Sequence, residues 1–269
     1  MKGRKVARSV LLGISVLSYI ILWAPALVLI LFSFSKNRFG IKWEGFTLEW
    51  YANLLSQPAA MDALKLSILV VAIAIVVSSL GGTLAAYGLY KYQFKGRGIL
   101  RVVSLLPLVM PTVVTGAAML VYFTQLIHLR LGIGSVIIAH ITFTIPLSTF
   151  VVLGRMSRID WSLEEASIDL GANKVTTFWK ITFPLLLPSI FASGLLIFPW
   201  SFNDFITTYF VAGVGVTTLP IYIFSQVRHS TTPIVNTIGA IFIIIPLLGT
   251  LFTSFFRNRK SAQSRSGHD

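Results

Sequence analysis

Six long apolar stretches set the frame for this chain, and none carries an Asp, Glu, Lys or Arg: residues 9–35, 66–90, 102–129, 131–154, 181–203 and 229–256. Each is longer than the ~20 apolar residues a helix needs to cross a hydrocarbon layer ~30 Å thick. Charged residues make up 12% of the chain, about half the roughly 25% usual in a soluble domain, and the mean hydropathy is +0.81. The windows are continuously apolar and lack the ~10-residue alternation of polarity that marks a transmembrane strand. The expected fold is therefore an all-α integral membrane protein with six transmembrane helices.

The first window follows Lys2, Arg4, Lys5 and Arg8 and superficially looks like a secretory leader. It is too long for the ~7–15-residue apolar core of a leader and no small-residue cleavage site follows, so it reads as the first span. Short loops kept in the cytoplasm are enriched in Lys and Arg. Sixteen of the 22 basic residues fall in four clusters: the N-terminal tail, residues 91–101, residues 155–180 and the C-terminal tail. Only Lys36, Arg38, Lys42, Lys65, Arg130 and Arg228 lie elsewhere. Both termini are thus expected in the cytoplasm, with tails 1–8 and 257–269 flanking one transmembrane domain, 9–256.

The formal charge of +13 is spread over loops at the membrane face. It points to topology and anionic lipid rather than nucleic acid, for which no motif is present. The chain has no cysteine, and His128, His140, His229 and His268 are too scattered to form a metal site. No paired carboxylates or nucleophile–base pair suggests an enzyme.

The outer segment 36–62, with Trp43, Trp50 and Tyr51, is expected to lie at the membrane interface, where aromatic residues concentrate. Pro107, Pro111 and Pro146 should bend their helices. Ser78, Ser79, Gly81, Gly82, Thr83, Ala85 and Ala86 should let the second span pack closely on its neighbours. Residues 209–233 read as an irregular outer loop and the polar tail 261–269 as disordered.

One cytoplasmic loop, 155–184, is long enough to hold structure of its own. Ser162 and Glu165 have the spacing of a capping box, which predicts a short helix starting there. Leu163, Ala166 and Leu170 share one face of it, with Glu164, Glu165 and Asp169 at its start and flank. Gly171 is placed to end it, and a second helical stretch, 174–183, leads to Pro184.

The segment EASIDLGANKVTTFWKITFP resembles the EAA signature of permease subunits in type I ABC importers. Glu165, Ala166, Gly171, Ile181 and Pro184 stand at the signature's spacings, while Ser167 and Phe183 depart from it. The resemblance implies that this helix–glycine–helix element docks on a separate ATPase subunit and transmits its closing motion. It also implies a second homologous permease subunit, an ATPase dimer that binds ATP and Mg2+, and an extracytoplasmic substrate-binding protein. No G-x-x-x-x-G-K-[ST] phosphate loop occurs in the chain, so the ATPase is expected on another polypeptide, and the chain itself needs no cofactor.

RFGIKWEGFTLEWYANLL, AHITFTIPL and SFNDFITTYFVAG are similar to stretches of spermidine/putrescine permeases of the C type, which implies a polyamine or related small amine as substrate. From the residues alone, Asp204 is the one acidic residue at the edge of an otherwise apolar span. A carboxylate there faces a cavity or a partner, because burying it alone costs about 2.5–3.5 kcal/mol. If its helix starts near Pro188, Asp204 falls in the outer half of the membrane. Asp204 with Asn203 and Trp200 could receive an ammonium group; equally, Asp204 could be solvated at the interface or paired with Arg228. Polyamine permeases often carry two acidic residues here, and Asn203 in place of the first leaves room for another solute such as an aminophosphonate. His140 in the fourth span is a candidate pathway residue or a buried, hydrogen-bonded histidine. A stand-alone secondary transporter is the competing class, but neither internal repeats nor a relay of intramembrane charges is visible.

Overall fold

The computed structural model describes residues 2–37, 42–229 and 233–265. Arg38 and the first residues of the polyamine-like stretch 38–55 lie outside the described residues, as does the end of the C-terminal tail.

Every regular element among the described residues is helical, apart from one isolated bridge between Ser35 and Phe46. Five helices are long and apolar enough to cross a membrane, within Arg8–Ser33, Pro58–Lys91, Ile133–Met156, Lys174–Phe202 and Pro233–Thr250. The third apolar window, 102–129, is not one helix. Its two halves, Arg97–Val109 and Thr112–Leu126, meet at 106°. Pro111 explains the break: it has no amide to donate, and it forces Met110 into an extended conformation with ψ 141°.

The chain divides into two compact units. In the first, α1 (Lys2–Ser33) packs along α13 (Pro233–Arg265), and α2 (Glu49–Leu55) packs on α13 as well. Gly239 permits the close approach, since a Cβ there would meet the Leu29 side chain at 2.9 Å. The interfacial aromatics are fastened rather than loose. The Trp50 indole donates to the Ser35 carbonyl at 2.8 Å, and Tyr51 shares a 2.8 Å hydrogen bond with Ser33 while stacking on Phe34. Helix α13 continues to Arg265, so the tail expected to be disordered from residue 261 is helical over its first part. Lys260, Ala262, Gln263 and Arg265 favour helix and simply extend the one begun in the span.

In the second unit, residues 62–222, α3 (Pro58–Lys91) runs beside α7 (Ile133–Met156) and α10 (Phe183–Phe202). Apolar clusters form at two levels, one around Val70, Phe123, Val136 and Val211 and the other around Ala86, Leu89, Val152, Met156 and Leu186. Between them lies a band of hydroxyls: Ser78 and Thr144 at 2.7 Å, with Ser148 donating to Ser193 and Ser193 to Ser79. Gly82 sits against this band, where an added Cβ would fall 2.5 Å from that of Ser148 and 2.9 Å from the Thr149 amide. The small residues of the second span are thus where two backbones come into contact.

The remaining helices are α4 (Arg97–Val103), α5 (Leu106–Val109), α6 (Thr112–Val121), α8 (Ser162–Asp169), α9 (Lys174–Thr177), α11 (Ile206–Val211) and α12 (Leu219–His229). The last two correct the expectation of an irregular loop over 209–233. Thr207, Thr208, Val211, Leu219 and Tyr222 are buried, so the two helices belong to the core, while the exposed turn at residues 213–215 between them keeps the irregular form expected. Pro220 in the first turn of α12 lacks only an amide that would have no intrahelical partner there.

Candidate functional site

Two carboxylates are drawn into the second unit, one in the 155–184 loop and one after α10. In the loop, α8 is terminated by a Schellman pairing. Gly171 takes φ +88°, its amide donates to the Ile168 carbonyl at 2.9 Å, and the Ala172 amide donates to Ser167 at 3.1 Å. Asn173 then caps α9 by accepting from the Thr176 amide at 2.8 Å. At the other end the expected capping box does not form. Ser162 already lies inside the helix, and the amides of Glu164 and Glu165 both donate to the Trp161 carbonyl. The capping carboxylate is Asp160, which accepts from the Ser162 amide at 3.1 Å. Hydrogen bonds from the Ser162 side chain and backbone hold the Asp160 carboxyl below its ordinary value.

The helix has two distinct faces. Leu163, Ile168 and Leu170 point outward, Leu170 with 89% of its surface exposed, and Glu165, Ala166 and Asp169 are exposed too. Glu164 and Ser167 point inward: Glu164 meets the Lys91 ammonium at 3.0 Å and accepts from the Thr182 hydroxyl at 3.4 Å, while Ser167 and Thr177 share a hydrogen bond. A wide π-helical turn, Phe178–Thr182, joins α9 to α10 without a break. The fifth span therefore starts at Lys174, well before Pro188. The widened turn just ahead of Pro184 accommodates a ring that would clash with the carbonyl four residues back in a regular helix. Ile181 and Pro184 of the signature lie within this run and do not form a separate stretch.

The second carboxylate, Asp204, sits where the chain leaves α10. Its Oδ2 accepts from the Thr208 amide at 2.8 Å and hydroxyl at 3.0 Å, and Oδ1 from the Thr207 amide at 3.4 Å, so it caps α11. His140 Nε2 lies 3.6 Å from Oδ2 and 2.9 Å from the Thr208 hydroxyl, and Nδ1 lies 2.6 Å from Ser201. The Asp204 side chain is 8% exposed and that of His140 2%. Beside them a cavity of about 10 Å3, also lined by Ser67 and Thr218, has room for a single water. The Thr218 hydroxyl facing it is buried without a hydrogen-bond partner. Asp204 therefore occupies a closed polar knot, not an open recess. Of the other pathway candidates, only His140 joins it. Asn203 is exposed at the end of α10, and Trp200 is 46% exposed. A larger cavity of about 440 Å3 between α3 and α10 is walled by Ile75, Leu80, Phe191, Leu195 and Phe198 and offers only Ser79 as a polar side chain.

Residues 78–261 match the family model described as "Binding-protein-dependent transport system inner membrane component". The chain belongs to this family. Among its relatives, the putrescine transport system permease protein PotI of Escherichia coli K12 is 35% identical over 234 residues, covering 85% of this chain and 83% of that protein. The spermidine/putrescine transport system permease protein PotC of Haemophilus influenzae is 34% identical over 229 residues, covering 85% and 89% respectively. A bacterial alginate ABC transporter crystallised with its alginate-bound periplasmic protein superposes with a TM-score of 0.69 at 17% identity, over 95% of this chain and 96% of that one. An amino acid ABC transporter gives a TM-score of 0.56 at 14% identity. These solved structures share the fold, that of type I ABC importer permeases. From its family and its long apolar helices, the chain is a multi-pass inner-membrane transport component.

Within this family frame, the sequence located the loop and Gly171 but missed the inward pairing of Glu164. The only available signal was that Glu164 lies about 100° around the helix from Leu163. It also missed Lys91, Trp161 and Thr182, which nothing in the linear order connects.

Proposed function

We propose that this chain forms one half of the translocation pathway of an ATP-driven importer for a polyamine such as putrescine or spermidine, or a related small amine. Its termini and the 155–184 loop face the cytoplasm, in keeping with the basic clusters there. It pairs with a second homologous permease subunit, an ATPase dimer binds ATP and Mg2+, and an extracytoplasmic binding protein delivers the solute. The chain supplies no catalytic residue.

The observation that carries this reading is the two-faced α8. A short, capped helix on a water-facing loop leaves Leu163, Ile168 and Leu170 bare while its other face is tied down. Exposed apolar side chains gathered on one short helix and rimmed by charge mark a surface for a partner, and Glu165 and Asp169 at its edge supply register. ATP-driven approach of two such helices would close the inner side of the pathway or open it in turn. The names of the relatives support the amine substrate.

The test is reconstitution of the complete complex with its binding protein. Glu165→Ala and Gly171→Pro should leave the chain in the membrane yet separate ATP hydrolysis from putrescine uptake. Normal uptake in both would end the coupling assignment. A ligand screen on the binding protein covering polyamines, monoamines and aminophosphonates fixes the substrate; a protein that holds an aminophosphonate and no polyamine would overturn the amine assignment.

A further inference from the structure

Lys91 is the last residue of α3, and its ammonium touches Glu164 and Trp161, which in turn contact the π-helical turn and the end of α7. Glu164 of α8 lies 3.0 Å away, and the same carboxylate oxygen accepts from Thr182 at the end of the π-helical turn. The ammonium also stands 4.3 Å above the ring of Trp161. That ring stacks on Tyr90 at 5.1 Å, and its N–H reaches the Tyr90 hydroxyl at 3.0 Å and the Met156 carbonyl at the end of α7 at 3.1 Å. The side chains of Lys91 and Glu164 are 29% and 11% exposed, so water screens the pair only in part.

The chain's own connections tie α8 to α7 through residues 157–161 and to α10 through residues 170–173 and α9. They leave α3 out. We propose that the Lys91–Glu164 pair, clamped by Trp161, is the strut that carries a displacement of α8 into α3, which makes Lys91 and Glu164 positioning residues for coupling. The inference rests on the reading of the 155–184 loop as the segment an ATPase grips.

The physical reason is direction. A charge-assisted hydrogen bond in a partly dry site fixes both the distance and the direction between its partners, and so resists stretch and shear. Glu164 is buried while Leu163 and Leu170, about 100° or more around the helix from it, are exposed, so an ATPase covering those two leucines leaves the strut intact. Helix α3 is roughly 50 Å long at about 1.5 Å per residue, and it is locked to α7 midway at Gly82–Ser148 and Ser78–Thr144. A push at Lys91 would thus enter the bundle along a stiff rod.

The experiment measures putrescine imported per ATP hydrolysed by the complete complex in proteoliposomes, for the wild type and for Lys91→Met, Lys91→Arg and Glu164→Gln. We expect Lys91→Met and Glu164→Gln to keep the ATPase subunit through purification and to lower the ratio by about 5-fold or more, the scale of a typical coupling energy. Lys91→Arg, which keeps both the charge and the stacking, should stay near the wild-type ratio. Unchanged ratios in Lys91→Met and Glu164→Gln would overturn the proposal. So would loss of the ATPase subunit from both, because the pair would then build the docking face rather than transmit motion. A drop in Lys91→Arg equal to that in Lys91→Met would also overturn it. A wild-type chain that retains no ATPase subunit would instead remove the underlying functional reading, and the strut with it.

Discussion

Glu164 and Asp204 are both buried carboxylates beside a basic side chain, yet they do opposite kinds of work. Asp204 looked exceptional in sequence, the one acid at the edge of an apolar span, and its oxygens are spent on the first turn of α11 and on a histidine. Glu164 looked ordinary, one of several acids in a charged loop, and it is the residue that fastens the loop to a neighbouring span. A carboxylate that satisfies backbone amides of the next few residues holds local shape. One that reaches a lysine 73 positions earlier in the chain (164 minus 91) joins elements that the chain does not. Rarity in the sequence identified the first kind and concealed the second.

The largest effect that would break this contrast comes from Asp204→Ala. It removes the cap of α11 and strands buried donors on Thr208 and His140, at a cost on the order of 2–4 kcal/mol. Thermal unfolding in detergent should show a drop of several degrees, and an unchanged midpoint would mean the cap carries no weight. Next comes Gly171→Val, which forces a β-branched residue to φ +88° and costs about 1–2 kcal/mol of strain at the end of α8. Here uptake should fall further than stability does, because the bare face is reoriented while the bundle is untouched.

Asp204→Asn sharpens the contrast at smaller amplitude. The amide oxygen still caps α11, so uptake of putrescine should remain within about threefold of wild type, equivalent to less than 1 kcal/mol. A collapse of uptake with normal stability would show instead that the carboxylate receives the substrate's ammonium group.

The smallest effect concerns Asp160. Its folded-state pKa lies below the ordinary 3.8, so the stabilisation it gives α8 is present above that value and disappears as the pH falls through the lower, folded one. NMR titration of the Asp160 carboxyl should place its midpoint below 3.8, and Ser162→Ala should move it back up. No movement in Ser162→Ala would assign the shift to some other contact.

Much of the architecture was legible before any coordinates. The charge-free windows have only one economical arrangement, because backbone amides in hydrocarbon must be satisfied within each segment. Gly171 could be placed because few other residues tolerate a left-handed backbone. The capping side chain of α8 was misassigned by two positions, because the Ser162–Glu165 spacing fits a capping box that the observed register does not use. The helices 206–211 and 219–229 were missed because the glycines and threonines between them read as one loop, and burial decides where it ends.

The sequence by itself determined that the chain crosses a membrane repeatedly, that one loop carries a short helix ended by Gly171, and that prolines disturb the third window; that Pro111 breaks it outright came from the structure. The first three follow from local chemistry, namely hydration cost, backbone sterics and a missing amide. The tertiary structure alone decided that Glu164 turns inward to Lys91, that Asp204 closes a knot with His140, and that Gly82 is a point of backbone contact. Each of these depends on which distant segments become neighbours, and the direction of a side chain on a short helix is set by what the rest of the fold places beside it.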